Sequence, residues 1–104
     1  MIRGTTPTIT MRLPDNIAVD SIEKAIVSIE QSGKEVIFRD SSSINRDDKN
    51  NTLAVKLKEE ETFSLSAKNK ACVQLKVKLF DGTVIASLPT PITVIDVVNK
   101  EKML

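Results

Sequence analysis

The fold is decided by residues 71–87, ACVQLKVKLFDGTVIAS. Apolar and polar side chains alternate through its first half: Val73, Leu75, Val77 and Leu79 against Gln74, Lys76 and Lys78. A period of two is typical of a β-strand with one buried face. The dipeptide Asp81-Gly82 then favours a tight hairpin turn, and Val84 and Ala86 start a returning strand. The stretch therefore predicts an antiparallel hairpin.

The same alternation predicts a strand near the N-terminus. In residues 8–14, TITMRLP, the apolar positions are Ile9, Met11 and Leu13, and the intervening ones are polar. Pro14 and Asp15 end the pattern, because proline lacks the N–H that a sheet ladder needs.

Residues 21–40, SIEKAIVSIEQSGKEVIFRD, predict a second hairpin. We expect Ala25, Val27 and Ile29 to share one face, a turn at Ser32-Gly33, and Val36 and Phe38 to face inward on the return. Helix is the competing prediction for residues 20–31, since several apolar residues there also fit helical spacing. The density of β-branched residues and the Ser-Gly dipeptide favour strand.

The middle of the chain is more polar. Residues 40–51, DSSSINRDDKNN, hold one apolar residue, and predict a surface loop or a ragged edge strand around Ile44. In residues 52–65, the inward positions are Leu53, Val55 and Leu57. KEEET, residues 58–62, then suits one helical turn or a wide loop, and we expect Phe63 and Leu65 to plug one end of the core.

The C-terminal third carries two prolines in LPTPIT, residues 88–93. Each proline removes a ladder donor, so residues 88–92 are expected at a sheet edge or in a strand that switches sheets. Residues 92–98, ITVIDVV, predict a final strand, and the polar tail 99–104 is expected to be frayed or ordered by a neighbour.

About seven short strands with turn signals every 8–12 residues predict one all-β domain over residues 1–104, an antiparallel immunoglobulin-like β-sandwich. An open small barrel is the alternative. The chain has one cysteine and no tryptophan, so the Cys–Trp–Cys core of antibody domains is absent.

Composition argues against several functions. The 15 basic and 14 acidic residues give a net charge of +1, which supplies no bulk attraction for nucleic acid or an anionic membrane. Histidine is absent, which removes the commonest general base. An aromatic content of 3% weakens a role in binding single-stranded nucleic acid, because such proteins usually offer flat side chains to the bases. No apolar stretch has the length of a membrane span. We expect a soluble protein made in a reducing cytoplasm, with no cofactor, metal or small-molecule substrate.

The remaining reactive side chains have plain interpretations. Cys72 has no histidine to form a thiolate and is expected to be an incidental small residue. The acidic pairs and triplets at Asp47-Asp48 and Glu59–Glu61 are flanked by lysines and lack the alternate spacing of a calcium loop. We expect them to be solvated surface, and the chain not to be an enzyme.

The opening segment, residues 1–7, is the main candidate for an interaction site. It is expected to be an extended arm whose polar donors lie across a partner, through residues Arg3, Gly4, Thr5, Thr6 and Pro7. An ordinary lead-in to the first strand is the alternative interpretation. The loop 40–51 is the second candidate, because long loops often carry binding surfaces.

Two stretches resemble known proteins. MIRGTTPTITMRLP, residues 1–14, is similar to the start of small phage- and prophage-encoded virion-associated proteins of Gram-positive (Firmicute) bacteria. Residues 53–87 are similar to the same group's alternating strand, Glu-rich corner, second strand, Gly turn and Ala-Ser return. The latter half of the chain also resembles the N-terminal sandwich of phage baseplate upper proteins.

The resemblance implies a setting in phage structural genes. It implies a non-enzymatic component of a tailed bacteriophage particle that is made in the host cytoplasm and docks on a symmetric assembly, first of all tail or baseplate. Capsid decoration, or a soluble accessory factor such as an assembly chaperone or an inhibitor of a host protein, is the alternative. Its partners would be other phage structural proteins or copies of itself. Only residues 3–7 can be matched position by position to the pattern of the proteins that the chain resembles.

Overall fold

The chain forms eight β-strands and one short α-helix in a computed structural model that describes residues 1–101 and Met103. The strands are β1 (Thr8–Arg12), β2 (Ile22–Gln31), β3 (Lys34–Arg39), β4 (Asn45–Asp47), β5 (Thr52–Lys56), β6 (Ala71–Leu79), β7 (Val84–Ala86) and β8 (Thr90–Ile92). The helix is α1 (Glu59–Phe63), and 3-10 turns lie at Val19–Ser21 and Ser41–Ser43.

The strands make two antiparallel sheets. One has three strands in the order β1-β5-β4, and the other has five, in the order β3-β2-β6-β7 with β8 also paired to β6. Every strand pair is antiparallel. The predicted all-β sandwich is confirmed, with eight strands in place of about seven.

The core lies between the sheets and is built from their inward-facing aliphatic side chains. Its fully buried members include Ile22, Val27, Ile29, Leu53, Val55, Leu57 and Leu65. The alternation in residues 8–14, 25–29, 53–57 and 73–79 therefore predicted the buried faces of four strands correctly. Strand, and not helix, is confirmed for residues 22–31, with its turn at Ser32-Gly33.

The inward face of β3 was predicted one residue out of phase. Ile37 is buried and Phe38 is about half exposed. The cause is a bulge: Glu30 pairs with Glu35 while Ile29 pairs with Ile37, so Val36 is an extra residue on β3. Because side chains alternate with a period of two, one extra residue moves the following side chains to the other face.

Two further segments differ from the expectation. Residues 40–51 contain the short edge strand β4, which pairs with β5 beside the buried Ile44, so the edge-strand alternative holds. In the part of the chain that the structure describes, the final strand is β8, which precedes most of residues 92–98. Within 93–98 the pairing is limited to an isolated parallel bridge that joins Ile95 to Ile2. β8 lies at the sheet edge, as its proline predicted.

The helical turn predicted at residues 58–62 is confirmed as α1. Of the two residues expected to plug the core behind it, Leu65 is buried, whereas Phe63 is only partly covered and packs on the N-terminal segment. Thr62, which the alternation did not mark as a core residue, is fully buried.

Candidate protein-interaction site

The N-terminal segment is bent and packed on its own chain, which corrects the expected extended arm. Gly4 has a positive φ of 74°, a conformation that glycine adopts without the clash of a Cβ. A Cβ at this position would also stand 2.4 Å from the ring of Phe63. Gly4 is therefore required twice, for its backbone angle and for the close approach of the ring.

Arg3 joins the N-terminal segment to two other parts of the chain. Its guanidinium donates to the carboxylate of Asp96 at 2.8 Å and to the carbonyl of Phe63 at 2.9 Å. The guanidinium carbon also lies 5.7 Å from the centre of the Phe63 ring, which is within cation–π range. The Arg3 hydrogen bond is the main reason that the pKa of Asp96 lies below its ordinary value.

Thr5 is held by the buried hydroxyl of Thr62. The Thr5 N–H donates to this hydroxyl at 3.1 Å, and the hydroxyl donates back to the Thr5 carbonyl at 2.8 Å. Two residues further, the carbonyl of Pro7 accepts the N–H of Leu57 at 2.9 Å and so starts the β1–β5 ladder. Thr6 between them is exposed.

The segment after β8 runs beside the N-terminus. The N–H of Arg3 donates to the carbonyl of Ile95, and the N–H of Ile95 donates to the carbonyl of Met1, both at 2.8 Å. The terminal amine donates to the carbonyl of Thr93 at 2.9 Å. These bonds hold residues 93–95 beside the first three residues of the chain.

Apolar side chains remain exposed in these two segments. Ile2 and Ile95, the two bridge partners, are 46% and 53% exposed, and Val98 is fully exposed. We call Ile2, Thr6, Ile95 and Val98 the arm–tail surface. Of the predicted interface residues 3–7, the structure gives Arg3, Gly4, Thr5 and Pro7 contacts within the chain and leaves Thr6 facing out. Whether any of them contacts a partner stays a prediction.

Glu61 is not the simply solvated carboxylate that the sequence predicted. It forms a two-pronged ion pair with Arg39, and both side chains are about four-fifths buried. Burial alone would raise the pKa of Glu61, but the Arg39 guanidinium and the Lys58 N–H hold it below its ordinary value. The hydrogen bonds that the Arg39 guanidinium donates to Glu61 raise the pKa of Arg39. This pair ties α1 to the end of β3.

The other candidates are more ordinary. Among the described residues, no three histidine, cysteine or acidic side chains come together as a metal site. Cys72 is half-buried on the outer face of β6, opposite Glu30. In the second candidate segment, Asp47 and Asp40 accept hydrogen bonds from nearby Asn50 and Ser42, which lower the pKa of both carboxyls. Asn51 bonds to the backbone of Ile17 and Val19, so the loop is firmly attached.

A groove along β1 was not foreseen from the sequence. On one side the sandwich is closed by the chain that crosses from β3 to β4, where the Ser41 hydroxyl accepts the N–H of Ala25 at 2.8 Å. On the other side β1 stands apart from β6 and β8 across a groove of about 620 Å³. The aliphatic lining of this β1 groove includes Ile9, Met11, Val73, Leu75 and Ile92.

No protein-family model matches this chain, and a comparison with curated protein sequences finds no significant match. Within residues 1–101 and Met103, no helix is both long and apolar enough to cross a membrane.

Proposed function

We propose that this chain is a non-enzymatic structural component of a tailed bacteriophage particle and docks on a symmetric assembly, first of all the tail or baseplate. The resemblance of residues 1–14 to virion-associated proteins supports the setting. The observation that carries the docking role is the arm–tail surface, where the bridge partners Ile2 and Ile95 are both about half exposed and Val98, three residues further along, is fully exposed.

A bent, hydrogen-bonded N-terminal segment supports docking better than a free arm would. Binding that orders a flexible segment costs roughly 1 kcal/mol per fixed residue or more, and this segment is already ordered in the isolated chain. In this scheme Arg3, Gly4 and Thr5 act by holding the segment in shape. Thr6 and the apolar side chains beside it make the contact.

The net charge of the chain and the symmetry of the assembly both suit a position that is repeated on a particle. A net charge of +1 allows copies to pack closely without strong mutual repulsion. A contact that recurs around a symmetric assembly can be individually weak, because many linked contacts act together.

The test compares apolar-to-acidic variants at the two ends of the sandwich. Val98→Asp changes the arm–tail surface, and Val84→Asp is its matched control in β7, where Val84 is 56% exposed. Particles assembled with each variant are purified and their proteins are identified by mass spectrometry. We expect the wild-type chain and Val84→Asp in the particles, and Val98→Asp to be strongly depleted.

Other outcomes distinguish the alternatives. Absence of the wild-type chain from finished particles would overturn the structural role and favour a transient accessory factor. Recovery with tail-free heads would favour capsid decoration. Equal incorporation of both variants would show that the arm–tail surface is not the docking contact.

A further inference from the structure

The edges of the two sheets differ in how well they are protected from pairing. An exposed edge strand is normally shortened, charged, bulged or interrupted by proline. β4, β7 and β8 have three residues each, and β8 contains Pro91. β3 has a bulge at Val36 and charges at Lys34, Glu35 and Arg39.

β1 has almost none of these protections. It is five residues long, Thr-Ile-Thr-Met-Arg, and its pairing with β5 is regular over the whole length. Its only charge, Arg12, is at the last position. Among residues 1–101 and Met103, no strand pairs with the other side of β1 in the β1-β5-β4 sheet.

The hydrogen-bond pattern shows which backbone groups of β1 face this free side. Leu57 donates to Pro7 and Leu13 donates to Asn51, so the odd-numbered positions of β1 bond to β5. In an antiparallel ladder the alternate residues direct their N–H and C=O groups the other way. The backbones of Thr8, Thr10 and Arg12 therefore present three donors and three acceptors to an incoming strand.

The β1 groove adds an apolar pocket to this free edge. Ile9 and Met11 face into it from β1, and Leu75 and Ile92 form the opposite wall. Leu88, which lies between the lining residues Ser87 and Thr90, is 85% exposed. A strand added beside β1 would place its own inward side chains in the groove.

We propose that the occupant is β1 of a second copy, paired antiparallel about a two-fold axis at Thr10. Thr10 then lies opposite Thr10 of the second copy, and Thr8 lies opposite Arg12. The backbones exchange about six hydrogen bonds. Ile9 and Met11 of each copy enter the groove of the other, and the two three-stranded sheets become one sheet of six strands.

The charge pattern of β1 fits a second copy in this orientation. Antiparallel pairing in this register places each Arg12 beside an uncharged Thr8, whereas parallel pairing in register would place the two Arg12 side chains together. Pro14, the next even-numbered position after Arg12, has no N–H to offer on the free side and so ends the ladder at Arg12. A stable interface buries roughly 1,200 Å² or more in total, and both grooves and both Leu88 side chains add apolar area to the paired strands.

The first test removes the outward donor of Thr10. Thr10→Pro lacks this N–H and places the proline ring at the free edge, while the β1–β5 bonds are made by the neighbouring residues. Thr10→Val is the control, because it keeps the N–H and the strand propensity. In sedimentation velocity over a range of concentrations, we expect wild type and Thr10→Val to dimerise and Thr10→Pro to weaken the dimer about a hundredfold. Urea unfolding checks that Thr10→Pro is folded.

The second test leaves the edge intact and measures proximity. In a Cys72→Ala background, Thr10→Cys places two thiols at Cα positions about 5.5 Å apart in the dimer, within disulfide range. Ala54→Cys is the control, since Ala54 pairs with Thr10 on the same face but lies one strand further from the axis. Mild oxidation should cross-link the position-10 variant and leave the position-54 variant unlinked.

Three results would overturn the proposal. A wild-type chain that is monomeric at every concentration would exclude a second copy as the occupant and favour an extended segment of another protein. A dimer that folded Thr10→Pro does not weaken, or one that cross-links as readily through position 54 as through position 10, would use another surface. If Thr10→Pro does not fold, the cross-linking result decides. Because these measurements use the purified chain and the docking test uses particles, the two proposals fail separately.

Discussion

The centre of the sandwich and its N-terminal end are held together by different forces. In the centre, Leu53 and Ile29 are completely buried and contribute through apolar burial. At the N-terminal end, Arg3 and Thr5 are held by hydrogen bonds to Asp96, Phe63 and Thr62. The stability of the centre therefore depends on the apolar side-chain volume that is buried there, and the stability of the N-terminal end depends on hydrogen-bond geometry. Substitutions should affect the two regions differently.

The largest effect is expected from a cavity in the centre. Leu53→Ala removes a fully buried side chain between the sheets and should lower the free energy of unfolding by about 2–5 kcal/mol. Leu88→Ala makes the same change at a position that is 85% exposed in the single chain, and at concentrations where the chain is monomeric it should alter this free energy by less than about 0.5 kcal/mol. Urea unfolding measures both. Equal losses would contradict the placement of the core.

A smaller effect is expected where the N-terminal segment bends. Gly4→Ala introduces a Cβ at positive φ and displaces the Phe63 ring, and should cost about 2 kcal/mol. Gly33→Ala has a similar φ of 78° but open space around the added methyl, and should cost about 1 kcal/mol. The difference between the two unfolding free energies isolates the ring contact. It would vanish if Phe63 did not pack on Gly4.

The bond between Thr62 and Thr5 should matter most for the local order of the N-terminal segment. Thr62→Val keeps the shape but leaves the Thr5 N–H without its partner, at a cost of about 1–2 kcal/mol. Amide exchange should speed up at Thr5 and much less in β2. Thr62→Ser retains the hydroxyl and should preserve most of the protection. Uniformly faster exchange across the chain would mean that the end is not a separate unit.

The smallest effect is expected from the ion pair of α1 with β3. Glu61→Gln removes the charge and should cost about 1 kcal/mol at neutral pH. Because the folded-state pKa of Glu61 lies below its ordinary value of 4.5, its stabilisation is present above that pH and is lost as the pH falls through the folded-state pKa. Urea unfolding of wild type and Glu61→Gln at a series of pH values should therefore give free energies of unfolding that converge as the pH falls. A constant difference would show that the carboxylate is not stabilised by folding.

The predictable parts of the fold share a local cause. Strands β1, β5 and β6 each carry their inward face in an uninterrupted alternation, and β2 does so from Ala25 onward, beyond an irregularity between Ile22 and Lys24. Four or five neighbouring residues therefore specify the buried side. The Asp81-Gly82 turn is equally local, and its glycine has the positive φ expected at that place. These elements were predicted correctly because tertiary contacts agree with the local preference.

The errors share a non-local cause. The bulge at Val36 depends on how β3 pairs with β2, and no residue within β3 indicates it. Segment 92–98 has the composition of a strand, but only Ile95 has a pairing partner beyond β8. A strand needs a neighbour, and sequence patterns do not show which edges remain available.

The candidate sites show the same division. Residues 3–7 were recognised as unusual, yet their contacts lie at Phe63, Thr62 and Asp96, about 60 to 90 positions away along the chain. The Arg39–Glu61 pair and the β1 groove were missed for the same reason. A proline-flanked, nearly uncharged strand was the one available signal for the free edge of β1.

The sequence by itself determined the all-β class, the buried faces of the main strands and their tight turns, because each depends on a few consecutive residues. Only the tertiary structure decided the phase of β3, the bend that packs residues 3–7 on α1, and the side on which the sandwich stays open. Those features depend on which strands become neighbours. That choice is made by burial summed over the whole chain, and a single segment does not contain it.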